Sequence, residues 1–373
     1  MDAAERNAWL RLLLTPGIGP RTARELLAAF GLPQEIFSAS RAALSRHAAS
    51  ELADRLCAPP GAAVETAIGD AERWLDAGED RSLLTLADPD YPRALLETAD
   101  PPTLLFAWGR REVLGLPALA IVGSRSCTHQ GRETAQAFAR SLAQAGLNIV
   151  SGLAVGIDAA AHRGALEAAA EGAVASTIAV IGTGIDVVYP TSQRGLGEAI
   201  RARGLMLSEF ALGTPALAHN FPRRNRVIAG LARGVLVVEA AMRSGSLITA
   251  RLAAEIGREV LAIPGSIHSP TARGCHRLIK DGAKLVESAQ DVLDELHLPA
   301  RAVAAADRGS EGSEQMNAEH RAVLAALGHD PVDLDTLARR CARDAGALSA
   351  ALLELELAQY VERLPGNRYQ RLR

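Results

Sequence analysis

Lysine is nearly absent from this chain of 373 residues: of 40 basic side chains, only Lys280 and Lys284 are lysines. A lysine-rich polycationic tail is thereby excluded, and any anion recognition must rest on arginine. Aromatic residues make up 3% of the chain, so the core must be built of Ala, Val, Leu and Ile. The same scarcity excludes a long ladder of stacked bases. The four cysteines, Cys57, Cys127, Cys275 and Cys341, are far apart, which removes a metal-type pair and argues for free thiols over a disulfide framework. His129, His162, His219, His268 and His276 have no metal-ligand spacing, so no metal is expected. Neither G-x-G-x-x-G nor a Walker A string occurs, which takes the best support from NAD and ATP-hydrolase readings, and no cofactor is expected. Leu10–Leu14 lacks the layout of a signal peptide, and no apolar stretch approaches membrane-spanning length. The expectation is a soluble cytoplasmic protein with no membrane association.

What the chain does have is unevenly placed. Its length predicts two or three domains, and 48% hydrophobic content is ample for a core. Net charge is −3 overall, yet residues 1–110 carry 11 Arg against 16 acids while residues 217–285 carry 9 Arg and 2 Lys against 4 acids. A local basic surface on a neutral protein fits selective anion binding. Residues 1–87 read as an alanine-rich helical domain, with Thr15-Pro16-Gly17-Ile18-Gly19-Pro20 as a hairpin between helices. Such a hairpin either exposes amides to a phosphate, as in helix-hairpin-helix modules, or simply needs glycine for its turn. From residue 88 to 298, short unalternating apolar runs (Ala118–Val122, Leu147–Val150, Thr177–Ile181, Leu205–Leu207, Val235–Val238, Val260–Ile263) alternate with helix-length segments. That pattern predicts a doubly wound parallel α/β sheet. Residues 299–319 read as a linker, and residues 320–373 as three helices and a hairpin around Pro365-Gly366-Asn367, the layout of a winged helix.

Ligands of an open parallel sheet collect beyond the carboxyl ends of its strands. Small or polar clusters follow every predicted strand: Gly123-Ser124-Arg125, Ser151-Gly152, Gly182-Thr183-Gly184-Ile185-Asp186, Ser208-Glu209, Glu239-Ala240 and Pro264-Gly265-Ser266. The richest stretch is His219–Ile248, where Phe221, Arg223, Arg224, Asn225 and Arg226 precede a short helix and Arg243-Ser244-Gly245-Ser246 opens another. A helix behind Ser244–Ser246 is expected to leave its first amides free for an anion. Asp186 and Glu239 either act as acids or cap loops and hold the arginines in position.

Read together, these strings resemble the DNA-processing protein A family, DprA or Smf. The matching pieces are Ile121-Val122-Gly123-Ser124-Arg125, Ser151-Gly152-Leu153-Ala154, Gly156-Ile157-Asp158 with Ala161-His162, Thr177–Pro190, Phe221–Leu231, Arg243–Ala250 and Gly274-Cys275-His276 with Leu278-Ile279-Lys280. The resemblance covers residues 88–296 closely and the terminal regions loosely. It implies an extended Rossmann-like domain between an N-terminal helix-hairpin-helix or SAM-like module and a C-terminal winged helix. It also implies a homodimer that is not an enzyme, binds single-stranded DNA, protects it in natural transformation and loads the recombinase RecA. Binding positions carry over to Arg125, the Gly182–Gly184 loop, Arg223, Arg224, Asn225, Arg226, Ser244-Gly245-Ser246 and Lys280. Thr191 and Ala241 depart from the family pattern, since relatives often carry lysine there. The rival reading is a nucleotide-processing enzyme, such as a phosphoribohydrolase of related fold.

Overall fold

The apolar runs become strands because they are covered on both faces. In the computed structural model, which describes residues 1–298, 317–328, 331–358 and 360–371, β1 (Arg81–Thr85) and β2 (Leu104–Gly109) precede the expected series. The series itself is β3 (Ala118–Val122), β4 (Asn148–Ser151), β5 (Thr177–Val180), β6 (Leu205–Ser208), β7 (Gly234–Val237) and β8 (Glu259–Ala262). Every residue of β3 to β7 is buried. With β9 (Lys284–Leu285) they form one nine-stranded sheet of order β1-β2-β6-β5-β4-β3-β7-β8-β9. Pairing is parallel from β6 through to β9, and antiparallel at β1–β2 and β2–β6.

This order contains a reversal. The chain steps outward from β3 through β4 and β5 to β6, then returns to lay β7 on the other side of β3. Loops leaving β3 and β7 therefore diverge to opposite faces, and a crevice opens between their carboxyl ends. The helices His129–Gln144, Ile157–Ala170, Asn220–Leu231 and Ser246–Glu255 all begin at this rim.

The N-terminal helices do not stand apart from the sheet. Trp9, Leu10, Leu26 and Trp74 share one core with Leu83, Leu104, Phe106 and Met206 of β1, β2 and β6. β1 lies before residue 87, where the sequence reading ended the helical domain, and it belongs to the sheet. Its short polar-flanked pattern next to a helix gave no period strong enough to mark it. β2 is an apolar run, residues 104–108, that the sequence reading passed over as connecting chain, and β9 is too short to carry a signal of its own.

The described residues divide into two compact units, one up to Leu298 and one beginning at Asn317. The second unit holds the helices Ala318–Leu327, Leu334–Cys341 and Ala345–Leu357. A three-stranded sheet of order β10-β12-β11 completes it, from Val332–Asp333, Arg368–Arg371 and Val361–Leu364 respectively. Its core is its own, built on Leu324, Leu337, Leu348, Leu352 and Tyr369. The Pro-Gly-Asn turn is where the alternation placed it, with Gly366 and Asn367 both at positive φ. Residues 299–316 of the expected linker, and Gln359 at the end of the third expected helix, lie outside the described residues.

Candidate nucleic-acid interface

A cavity of about 500 Å³ occupies the crevice between the ends of β3 and β7. Gly123, Ser124 and Arg125 line one side, Phe221, Arg224 and Asn225 another, and Arg243, Ser244, Gly245 and Ser246 a third. Ten of the residues expected from the sequence thus meet at one place, drawn from segments as distant as Gly123 and Ser246. Gly123 is small for the fit of the two loops: a Cβ there would fall 2.6 Å from Ile157 and 2.9 Å from the Glu239 carbonyl.

Arg224 is the buried cation of the site, at 5% exposure. Its Nη1 donates to Val180 O at 2.6 Å, while its Nε is buried without a hydrogen-bond partner. Burial pulls its pKa down to about 10, with Asp158 working against that fall and Arg125 adding to it. Gly152 makes room for the guanidinium, because a Cβ at that position would lie 2.0 Å from Nη1. Below it, Asp158 accepts from the amides of Gly152 (3.1 Å) and Ala154 (3.4 Å). Burial raises that carboxyl, and the Arg224 charge opposes the rise.

One helical turn further on, His162 secures the same loop. Its Nδ1 is 2.6 Å from the Thr177 hydroxyl, which itself donates to Ile149 O at 2.7 Å. Nδ1 must therefore carry the proton, leaving Nε2 to accept from the Leu153 amide at 3.3 Å. Leu153 has φ of +59°, so this bond holds a left-handed turn beside Gly152. Burial first, and Arg224 second, push His162 down to about 3, so it is a neutral structural group. Asp158 and His162 were not among the residues expected to form the site. A signal existed: they are the polar residues, one turn apart, on the inner face of an otherwise alanine-rich helix.

The upper wall is aromatic. Phe221 and Tyr189 have ring centroids 5.8 Å apart, and the Arg125 guanidinium lies 5.8 Å from the Phe221 ring. Tyr189 is 46% exposed, which leaves ring surface for a ligand. Gly182 supports this wall, since a Cβ there would meet the Phe221 ring at 3.0 Å.

Other expected positions have different roles. Ser151 is fully buried and donates to Ile121 O at 2.6 Å. Gly184 donates its amide to Thr214 O at 2.9 Å, and Asp186 accepts from Gly213 N at 2.9 Å; both brace a loop outside the cavity. Arg226 pairs with Glu209 and with Asp100 (3.3 Å), tying the helix to the chain before β2. Arg223 is exposed and lines a neighbouring cleft. Lys280 ends the helix Arg273–Lys280, whose first turn is the one held to the rim through Gly274 N and Ala240 O. Eight residues of helix carry it about 10 Å away from that edge.

Two chemical expectations also change. The amides of Ser244, Ser246, Leu247 and Ile248 already have acceptors within the turn, so the floor offers hydroxyls and the Gly245 amide in place of an open row of donors. Glu239 is committed as well: its carboxylate accepts from Thr128 N (2.9 Å) and Thr128 Oγ1 (2.6 Å), against the first turn of His129–Gln144. Both candidate acids are thus engaged by hydrogen bonds from neighbouring loops. The Cys275 thiol is buried near two main-chain carbonyls, and burial pushes it up to about 12. No cluster of His, Cys, Asp or Glu among the described residues could hold a metal ion. No helix among them is long and apolar enough to cross a membrane.

Comparison with known proteins identifies the family. A family profile described as DNA recombination-mediator protein A matches residues 82–297. Profiles for a DprA winged helix domain and a DprA-like N-terminal HHH domain match residues 307–367 and 3–54. Protein Smf of Synechocystis sp. is 34% identical over 100% of both chains. DNA processing protein DprA of Streptococcus pneumoniae is 51% identical over 57% of this chain and 73% of its own. The solved structure of the S. pneumoniae protein has a TM-score of 0.64 at 39% identity, covering 78% of this chain and 97% of that one. DNA processing protein A of Helicobacter pylori, described for its single-stranded DNA binding mode, has a TM-score of 0.51 at 29% identity over 58% of this chain and 96% of its own. With its whole length matched by Smf and its central sheet by the family profile, the chain belongs to the DNA recombination-mediator protein A family.

Proposed function

We propose that this chain binds single-stranded DNA in the crevice between β3 and β7, as a homodimer in the cytoplasm, without catalysing a reaction on it. In this reading it protects incoming strands in natural transformation and loads RecA onto them. The observation that carries the binding role is the make-up of the cavity: Arg125, Arg224 and Arg243 supply positive charge, beside the Phe221–Tyr189 pair and the Ser244 and Ser246 hydroxyls. Guanidinium groups hold phosphates without reading sequence, and an aromatic pair accepts the face of any base. A duplex hides those faces. The engagement of Glu239 and Asp186 in main-chain bonds supports a binding role over a hydrolytic one. Two such cavities in a dimer gain by avidity on one strand.

The test is fluorescence anisotropy with labelled single and double strands across a salt series. Single strands should bind at least about tenfold tighter than duplex, and Arg125→Ala should lower the salt slope by about 0.7. Equal affinity for both forms, or an unchanged slope in Arg125→Ala, overturns the reading. RecA loading is read separately, as faster RecA filament growth on strands coated with single-strand-binding protein. No acceleration by the wild-type chain removes that part alone.

A further inference from the structure

A second cleft, of about 220 Å³, lies between the N-terminal helical hairpin and the sheet, on the far side of Arg223 from the main cavity. Ile18, Gly19 and Ala23 form its hairpin side; Glu209, Phe210 and Arg223 face them. Three features are unusual together. The Glu209 side chain is 4% exposed, and its Oε1 is buried with no hydrogen-bond partner, while Arg226 occupies Oε2. The Arg223 guanidinium lies 5.2 Å from the Phe210 ring, so a flat cation and a flat ring edge the same opening. And Pro222, next to Arg223 in the helix Asn220–Leu231, lines the main cavity, so one turn of helix borders both openings.

We propose that this cleft receives one splayed nucleobase of the bound single strand, stacked on the exposed Arg223 guanidinium that Phe210 backs, with Glu209 Oε1 accepting from an amino group on the base edge. The inference rests on the single-strand reading above. The cleft is smaller than the roughly 300 Å³ usual for a whole small-molecule ligand, which fits one planar ring system better than a nucleotide. Bases of single strands are commonly splayed out, stacked on arginine or aromatic planes and bonded along their edges. A carboxylate oxygen selects a donor: cytosine, adenine and guanine each present an amino group, while thymine flanks its single N–H with two carbonyl oxygens. Accepting that donor would also satisfy an oxygen that the protein leaves unpaired.

The test uses the full chain and a homothymidine oligonucleotide in which a single cytosine is moved stepwise along the strand. Affinity should rise by about fivefold when the cytosine reaches one position. The gain should vanish in Glu209→Gln, and in Gly19→Glu, which places a carboxylate at the mouth of the cleft. Gly19 is exposed, and a Cβ there meets nothing within 4 Å, so this variant should fold and still bind homothymidine. No gain at any position, or a gain that survives Gly19→Glu, overturns the inference and leaves the main cavity untouched. Homothymidine binding that ignores Arg125→Ala points instead to failure of the single-strand reading, and the inference falls with it.

Discussion

Replacing Gly152 with alanine tests the link between the buried network and the binding surface. The added Cβ would lie 2.0 Å from Arg224 Nη1, 2.6 Å from Cζ and 2.7 Å from Nη2, so no rotation of the flat head in place relieves the overlap. Nη1 is also tethered to Val180 O, and the Gly152 amide is held by Asp158. The guanidinium must leave its slot, and Asp158 then stays buried without its nearest countercharge. Forcing extra atoms into a packed site costs about 1–3 kcal/mol, and the upper end, about 3 kcal/mol, is the expected loss because the head must leave its slot. Thermal or urea unfolding reads that number. Anisotropy should show at least about tenfold weaker single-strand binding and a salt slope lower by about 0.7, the share of one phosphate contact. Wild-type stability would refute the packing argument. Lost stability with unchanged affinity and slope would refute the role of Arg224 in binding.

Three other perturbations probe separate parts of the reasoning. His162 is held near 3 in the folded chain against an ordinary value of about 6.5, so the unfolded state binds the extra proton first as pH falls. Its contribution is complete above about 6.5 and declines below it; between pH 7 and 5 the loss is about 2 kcal/mol, and His162→Gln should remove that part of the slope in urea melts at the two pH values. A variant with the wild-type slope would show that His162 does not titrate this way. Glu239→Gln replaces one acceptor oxygen facing Thr128 with a donor and should cost about 1–3 kcal/mol. If the wild-type protein turned over nucleoside monophosphates and this variant did not, Glu239 would be catalytic and the structural assignment wrong. Because each unit has its own core, deleting residues 299–373 should leave single-strand affinity within about twofold at equal salt, measured by anisotropy; a larger loss would place binding in the second unit.

The central sheet was legible because its strands are buried on both faces, and such strands spell themselves out as continuous apolar runs. The rim was legible for the same reason, since a polar residue directly after an apolar run has left the core. What the rim pattern could not say is which way each polar group turns. Ser151, Gly152, Gly184 and Asp186 all follow strands; the first three spend their polar groups or their small size inside the protein, and Asp186 accepts from Gly213 N at the surface. Glycine is especially ambiguous: at 152 it serves a buried arginine, at 123 a loop crossing, and neither differs in sequence from a phosphate-binding turn. Arg223, Arg224 and Arg226 read alike as one cluster, yet a helix turns about 100° per residue and sends them to a cleft, a buried slot and an ion pair. A motif match at Lys280 carries no distance along a helix, and the structure puts this residue at the far end of Arg273–Lys280.

The scarcity of lysine has a physical counterpart in this site. Burial pulls Arg224 down to about 10, and it remains charged at neutral pH because guanidinium starts so high. An ammonium group starts lower, at about 10.4, so the same burial brings it closer to losing its charge. A flat head also fills the slot under Gly152, bonding Val180 O at one edge while its other edge meets the cavity. An ammonium group has no second edge. The exposed positions impose no such demand, and there Thr191 and Ala241 carry no charge. Arginine thus suits the buried slot at 224, and Arg125 and Arg243 add their charge to the crevice between β3 and β7.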